Sequence, residues 1–159
     1  MSEPDFTHID SEGRASMVDV GDKASTVRTA SASGRLRMSA STRARVVAGD
    51  VPKGNVVEVA RIAGIQAAKR TSDLIPLCHP LPLTHVDVRV TPDETGLSVA
   101  ATASCTGPTG VEMEALTAAT VALLTLYDMC KALEKGMTIA DVQLESKTGG
   151  RANWRRGSA

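Results

Sequence analysis

The spacing of hydrophobic and polar positions changes several times along the chain, and each change marks an element. From Asn55, which suits an N-cap, to about Lys69 the chain is Ala-rich and apolar with helical spacing. A loop stiffened by Pro76, Pro80 and Pro82 follows. Residues 85–90, His-Val-Asp-Val-Arg-Val, alternate strictly, which predicts a half-buried strand. Glu94-Thr95-Gly96 reads as a turn and residues 97–105 as the second arm of a hairpin. Thr109 opens a helix predicted to run to about Glu134. Thr109 and Glu112 stand at capping-box spacing, and Gly136 is the stop. Toward the N-terminus, residues 25–38 carry Thr, Val and alternating small residues, a strand or hairpin with Gly34 as a turn. Residues 42–48 suit a short helix ended by Gly49-Asp50, and residues 142–146 a last strand.

The termini differ from this middle. Residues 1–23 are polar, with Met17-Val18-Asp19-Val20 as their apolar knot, and are expected to form a mobile arm able to fold over a site. Residues 24–150 are read as a single domain and 151–159 as a flexible basic tail. The order β-α-α-β-β-α-β reduces to βαββαβ once the short first helix is set aside. That is an α+β, ferredoxin-like pattern, an antiparallel sheet with helices packed on one face. The helix expected over 111–134 is apolar nearly all round, whereas a two-layer fold covers one side of it. Its other side is expected to meet a second subunit, so the chain reads as a homo-oligomer.

Composition narrows the partners. The 159 residues are 42% apolar but only 2% aromatic (Phe6, Tyr127 and Trp154), so the core must be built from Ala, Val, Leu, Ile and Met. Such side chains let helices approach closely but each buries little area, a second reason to expect oligomerisation. Lys plus Arg and Asp plus Glu balance at 18 each. With aromatics so scarce, that balance argues against a nucleic-acid partner. Cys78, Cys105 and Cys130 are odd in number and form no CxxC pair, which suits reduced thiols in a cytoplasmic protein. No segment has a signal-peptide layout or reads as a membrane span, so no membrane partner is expected.

Candidate chemistry is spread along the chain. His79 sits in the proline-stiffened loop, either as an acid, base or hydrogen-bond partner or as a structural turn residue. Lys53 stands at a helix start, where a cation opposes the dipole. A bound anion, phosphate above all, would relieve that cost; a solvated surface lysine is the bland alternative. Lys147-Thr148-Gly149-Gly150 leaves a strand with two glycines, a weak anion-nest signal, and the chain has neither a Walker A nor a GxGxxG pattern. Asp128 and Lys131 are helical neighbours in an apolar stretch, either a structural ion pair or a lysine acid/base oriented by a carboxylate. Glu112 is expected to serve the cap, leaving Glu114 freer to contact a ligand. Glu114 and Asp128 lie about 21 Å apart along a straight helix, so two subunits would contribute to a site that used both. Metal binding is poorly supported, and His8 and His85 read as structural or exposed.

Together these residues resemble the MoaC family, the cyclic pyranopterin monophosphate synthases of molybdenum cofactor biosynthesis. The motifs are residues 17–20, the Ala-Arg-Ile-Ala-Gly-Ile-Gln-Ala-Ala-Lys-Arg-Thr run at 60–71 and Asp-Leu-Ile-Pro-Leu-Cys-His-Pro-Leu at 73–81. Thr-Gly-Val-Glu-Met-Glu-Ala-Leu-Thr-Ala at 109–118 and Tyr-Asp-Met-Cys-Lys-Ala at 127–132 complete them. The resemblance implies conversion of 3′,8-cyclo-7,8-dihydro-GTP, a small GTP-derived substrate, to cyclic pyranopterin monophosphate with release of pyrophosphate, and no cofactor. It also implies a ferredoxin-like fold and a homohexamer, a trimer of dimers with sites at subunit interfaces. It assigns substrate contacts to Leu77, Cys78, His79, Met113 and Glu114, with Glu112 beside them. Catalysis falls to Asp128, Lys131, Lys53 and Lys147, and phosphate binding to Arg28. The Val-Pro before Lys53 and the tail from Arg151 depart from the family pattern. The rival reading is a non-enzymatic ligand-binding module on the same fold, which would need cations for phosphate but no Asp128–Lys131 acid/base pair.

Overall fold

The computed structural model describes residues 9–10 and 12–157; Phe6 and His8 lie outside them. The elements in order are β1 (Thr26–Arg37), α1 (Ala40–Val47), α2 (Val56–Ala68), α3 (Thr71–Leu74), β2 (Leu83–Pro92), β3 (Gly96–Gly107), α4 (Glu112–Cys130), β4 (Thr138–Thr148) and β5 (Trp154–Arg155). The strands form one sheet in the order β2-β3-β1-β4-β5, with every neighbouring pair antiparallel. The fold is mixed α+β.

Alternation sets the faces of the sheet. Ala30, Ala32 and Leu36 are buried on one side of β1, with Gly34 between them, while Ser31, Ser33 and Arg35 point the other way. Register carries that face across the sheet, since Ala32 stands opposite Ala101 and Ala101 opposite Val88. The opposite face is polar, tied by hydroxyl pairs between Thr29 and Ser104 (2.9 Å) and between Ser31 and Ser146 (2.7 Å). Gly34 is not a turn. β1 runs unbroken for 12 residues, and Leu123 of α4 packs onto the strand at Gly34. A Cβ there would stand 2.6 Å from Leu123 Cδ1 and 3.1 Å from Val142 Cγ2.

The core lies between this face and two helices. α4 packs on β1, β3 and β4, and α2 packs beside α4 on β2. Leu36, Leu97, Val88, Val99, Leu123 and Leu126 are fully buried between the layers. Gly64 of α2 meets the Ala118 carbonyl of α4, where an added Cβ would lie 2.8 Å away. α4 is the one helix among the described residues long and apolar enough to cross a membrane, and half of it is buried inside this core. Val59 and Ile62 of α2, with Met113 and Leu124 of α4, remain exposed.

The ends of α4 correct the expectation for 109–134. The helix starts at Glu112 with Val111 as N-cap and no side-chain capping bond, so the Thr109–Glu112 capping box does not form. Glu112 is engaged instead by Lys147. At the other end Lys131 is the C-cap, and the Glu134 carboxylate leaves the helix axis to accept bonds from Ser39 N (3.0 Å) and Oγ (2.8 Å) at the start of α1. β2 and β4 extend beyond residues 85–90 and 142–146. β5 is an addition: residues 154–155 pair with Lys147 and Ser146.

Candidate active site

Two clusters of the candidate side chains form at opposite ends of α4. At its C-terminal end, Asp128 and Lys131 are one turn apart, and Lys131 Nζ meets Asp128 Oδ1 at 2.8 Å. Lys53 reaches the same carboxylate from the turn before α2, with Nζ 2.8 Å from Oδ2 and 2.9 Å from the Asp128 carbonyl. Asn55 fixes that turn by capping α2, its Oδ1 accepting from Glu58 N at 3.1 Å. Lys53 therefore does not lean over the amides of its own helix. Its ammonium serves the carbonyl end of α4, where the dipole favours a cation.

The two ammonium groups hold the Asp128 carboxyl down at about 2, through the bond to Lys131 first and to Lys53 second. In return Asp128 pushes the Lys131 ammonium above its ordinary value. Lys131 is thus a protonated cation at neutral pH. Its competing neutral form, which burial or a nearby cation would favour, does not prevail. All three side chains are about half exposed, so the cluster is open to a ligand.

The second cluster surrounds the N-terminal end of α4. Lys147 Nζ lies 3.1 Å from Glu112 Oε1. Glu114 turns inward: it is only 4% exposed and its Oε2 has no hydrogen-bond partner. Burial first, and the Glu112 charge after it, push the Glu114 carboxyl above the usual glutamate range. Burial raises the Cys78 and Cys105 thiols, and the Glu114 charge adds to both. Neither is primed as a nucleophile. Glu114 was expected to be the freer of the two glutamates; in the structure Glu112 is the more exposed and Glu114 is sequestered.

Arg28 crosses the same region, donating from Nε to the Gly107 carbonyl at 3.3 Å and from Nη2 to the Pro108 carbonyl at 3.1 Å. Gly149 and Gly150 both have positive φ and lie against it; a side chain at Gly150 would collide with the guanidinium. The Gly149 N–H is taken by Asn153 Oδ1 at 3.1 Å, so this pair seats Arg28 and does not form an open anion nest. Leu77, Cys78 and His79 are half-buried in their loop, and Met113 is partly exposed. Imidazole Nε2 of His79 is 2.8 Å from the Val18 carbonyl, a partner that sequence reasoning missed. The available signal was the apolar knot at 17–20 in an otherwise polar arm. No group of three or more His, Cys, Asp or Glu side chains among the described residues is arranged to hold a metal ion.

The fourteen residues from Glu114 to Asp128 put the clusters about 21 Å apart on one chain. One holds two cations around a carboxylate. The other holds a buried acid, an arginine and a lysine, with the Cys78 thiol close enough to feel the charge of that acid.

A family model described as the MoaC family matches residues 17–150, a span that includes both clusters and the Val18 contact. The chain is 58% identical over 150 residues to the cyclic pyranopterin monophosphate synthase of Desulforapulum autotrophicum, a match covering 93% of this chain and 92% of that protein. Against the proteins of the same name from Chloroflexus aggregans and Chloroflexus aurantiacus, identity is 56% over 154 residues and 55% over 155. Those matches cover 95% and 96% of this chain and 93% and 95% of the relatives.

Proposed function

The chain belongs to the MoaC family, and on that footing we propose that it is a lyase of molybdenum cofactor biosynthesis, converting 3′,8-cyclo-7,8-dihydro-GTP to cyclic pyranopterin monophosphate and pyrophosphate. The observation that carries this reading is the Lys53–Asp128–Lys131 cluster, two ammonium groups on one carboxylate in an open position. A polyphosphate needs cations, and a rearrangement of ring nitrogens and oxygens needs a proton donor and acceptor.

In this mechanism the substrate's base lies against Leu77, Cys78, His79, Met113 and Glu114, and its phosphates meet Lys53, Arg28 and Lys147. Lys131 starts charged, so it acts first as general acid, giving its proton to a ring atom as the base opens. The resulting amine, oriented by Asp128, takes a proton back as the pyran ring closes. In the final step a ribose-derived hydroxyl oxygen forms a bond to the α-phosphorus and loses its proton. The bond from that phosphorus to the bridging oxygen breaks, and pyrophosphate leaves with the electron pair. The cations offset the charge that builds on it. The assembly belongs to the same proposal: a cytoplasmic homohexamer, a trimer of dimers on a ferredoxin-like fold, with each site shared between protomers. The strand order, the separation of the two clusters along α4 and the exposed Val59, Ile62, Met113 and Leu124 support it.

The test is turnover of the named substrate, followed by pyrophosphate and by the cyclic product. Lys131→Ala is expected to lower product formation at least about a hundredfold, the range of a lost general acid/base, while the chain stays folded and still binds substrate. Near-normal turnover by that variant would remove Lys131 from the chemistry.

A further inference from the structure

Residues 17–20 form a strap, and we propose that it fixes which nitrogen of His79 faces the substrate. Met17 and Asp19 are exposed whereas Val18 and Val20 are half-buried, so the strap lays one side against the protein. Asp19 Oδ1 accepts from Gly21 N at 2.8 Å and Lys23 N donates to the Val20 carbonyl at 3.1 Å, so the chain turns away immediately afterwards toward β1. The Val18 carbonyl is left aimed at the imidazole, 2.8 Å from Nε2.

A carbonyl can only accept. Nε2 must therefore carry the hydrogen, and the neutral ring then has a bare Nδ1. Among the described residues Nδ1 has no hydrogen-bond partner. The half-buried ring is tied to the strap through Nε2, and turning it over would break that bond, so its two nitrogens do not readily change places. His79 thus offers the substrate an acceptor, and it recognises an N–H of the bicyclic base. Val18 is a positioning residue that acts through its carbonyl. This assignment rests on the proposed reaction for the identity of the ligand but not for the state of the ring.

The experiment is nitrogen-15 NMR on the full chain labelled at histidine, with His79 identified by its loss in His79→Gln. The neutral His79 ring is expected to show a single tautomer with the proton on Nε2, exchanging slowly with water. Val18→Asp with Val20→Asp, which lifts the strap in the intact chain, is expected to speed that exchange about tenfold or more while His85 is unchanged. Adding 3′,8-cyclo-7,8-dihydro-GTP to Lys131→Ala, which holds the substrate unconverted, is expected to move the Nδ1 resonance in the direction of an accepted hydrogen bond. His79→Asn keeps an oxygen near the Nδ1 position and is expected to bind this substrate about tenfold tighter than His79→Gln, which keeps a donor near Nε2. A proton on Nδ1, averaged tautomers or an unmoved Nδ1 resonance in a chain that turns substrate over would each overturn the assignment. Equal binding by the two amide variants would do so as well. A slow Nε2 proton, released when the strap is lifted, in a chain that never converts the substrate would uphold the strap and reject the proposed reaction.

Discussion

Glu114 and Asp128 are carboxylates on one helix with opposite environments, and each sets its own dependence on pH. Glu114 is buried with an unpartnered oxygen, so its carboxyl lies above the ordinary 4.5. A raised value means that its favourable contribution is complete below pH 4.5 and is lost as pH rises through the folded value. Asp128, held at about 2 by two lysines, contributes above its ordinary 3.8 and loses that contribution as pH falls toward 2. Glu114→Gln stays neutral throughout. It is expected to raise the thermal midpoint at pH 7 by about 2–4 °C, roughly what 1 kcal/mol is worth at this chain length, and to give no gain at pH 4. Thermal melts of the two chains across that range check it; a gain of equal size at pH 4 would show that ionisation of Glu114 is not the cause. The Asp128–Lys131 contact was readable before the fold was known, because residues three apart on a helix are neighbours whatever surrounds them. The division of labour between Glu112 and Glu114 was not. Two helical positions differ by about 200° of rotation, so which one faces inward depends on where the helix meets the sheet. Lys147, from a strand distant in sequence, decides what holds Glu112.

Close approach of elements replaces aromatic bulk in this core. Gly64 touches the Ala118 carbonyl, Val88 Cγ2 and Ala122 Cβ, all within 3.3 Å of a notional Cβ. Elsewhere in a helix interior Gly→Ala stabilises by about 1 kcal/mol, because alanine has less backbone freedom to lose. Here the sign reverses. Gly64→Ala must push α2 away from a backbone oxygen of α4, and it is expected to destabilise by about 1–3 kcal/mol. Urea unfolding of the variant checks it, and a stabilised chain would mean that α2 and α4 are less tightly seated. The long elements were legible because each repeats its period for many residues: strict alternation across His85 to Val90, helical spacing after Asn55. The short ones were not. α3 is a single turn, held by the Thr71 hydroxyl donating to the Ala68 carbonyl at 2.9 Å, and β5 is a two-residue ladder made by its partner strand. Gly34 read as a turn because glycine breaks strands more often than it lines them. Only the packing of Leu123 reveals that the position needs the missing side chain.

At the scale of the whole molecule, the length of α4 constrains how a site can be assembled. Glu114 and Lys131 belong to opposite ends of one rigid helix, and no single small substrate bridges that distance along one chain. Two copies related by a twofold axis can bring the N-terminal cluster of one to the C-terminal cluster of the other, and the same operation builds the second site of the pair. Buried apolar surface favours such an arrangement, since the helical layer leaves Val59, Ile62, Met113 and Leu124 uncovered. The consequence is arithmetical. Mixing subunits that carry Glu114→Ala with subunits that carry Lys131→Ala gives, at random pairing, about half mixed dimers. In each of these one site holds both substitutions and the other holds neither. Activity is therefore expected to return to about a quarter of the unsubstituted level after the two inactive proteins are unfolded and refolded together, while each refolded alone stays inactive. Refolding matters because subunits that never exchange would give no signal whatever the geometry, so exchange is confirmed by recovering two differently tagged chains in one particle. Verified mixed particles without activity would reject a site completed by the opposite ends of two α4 helices.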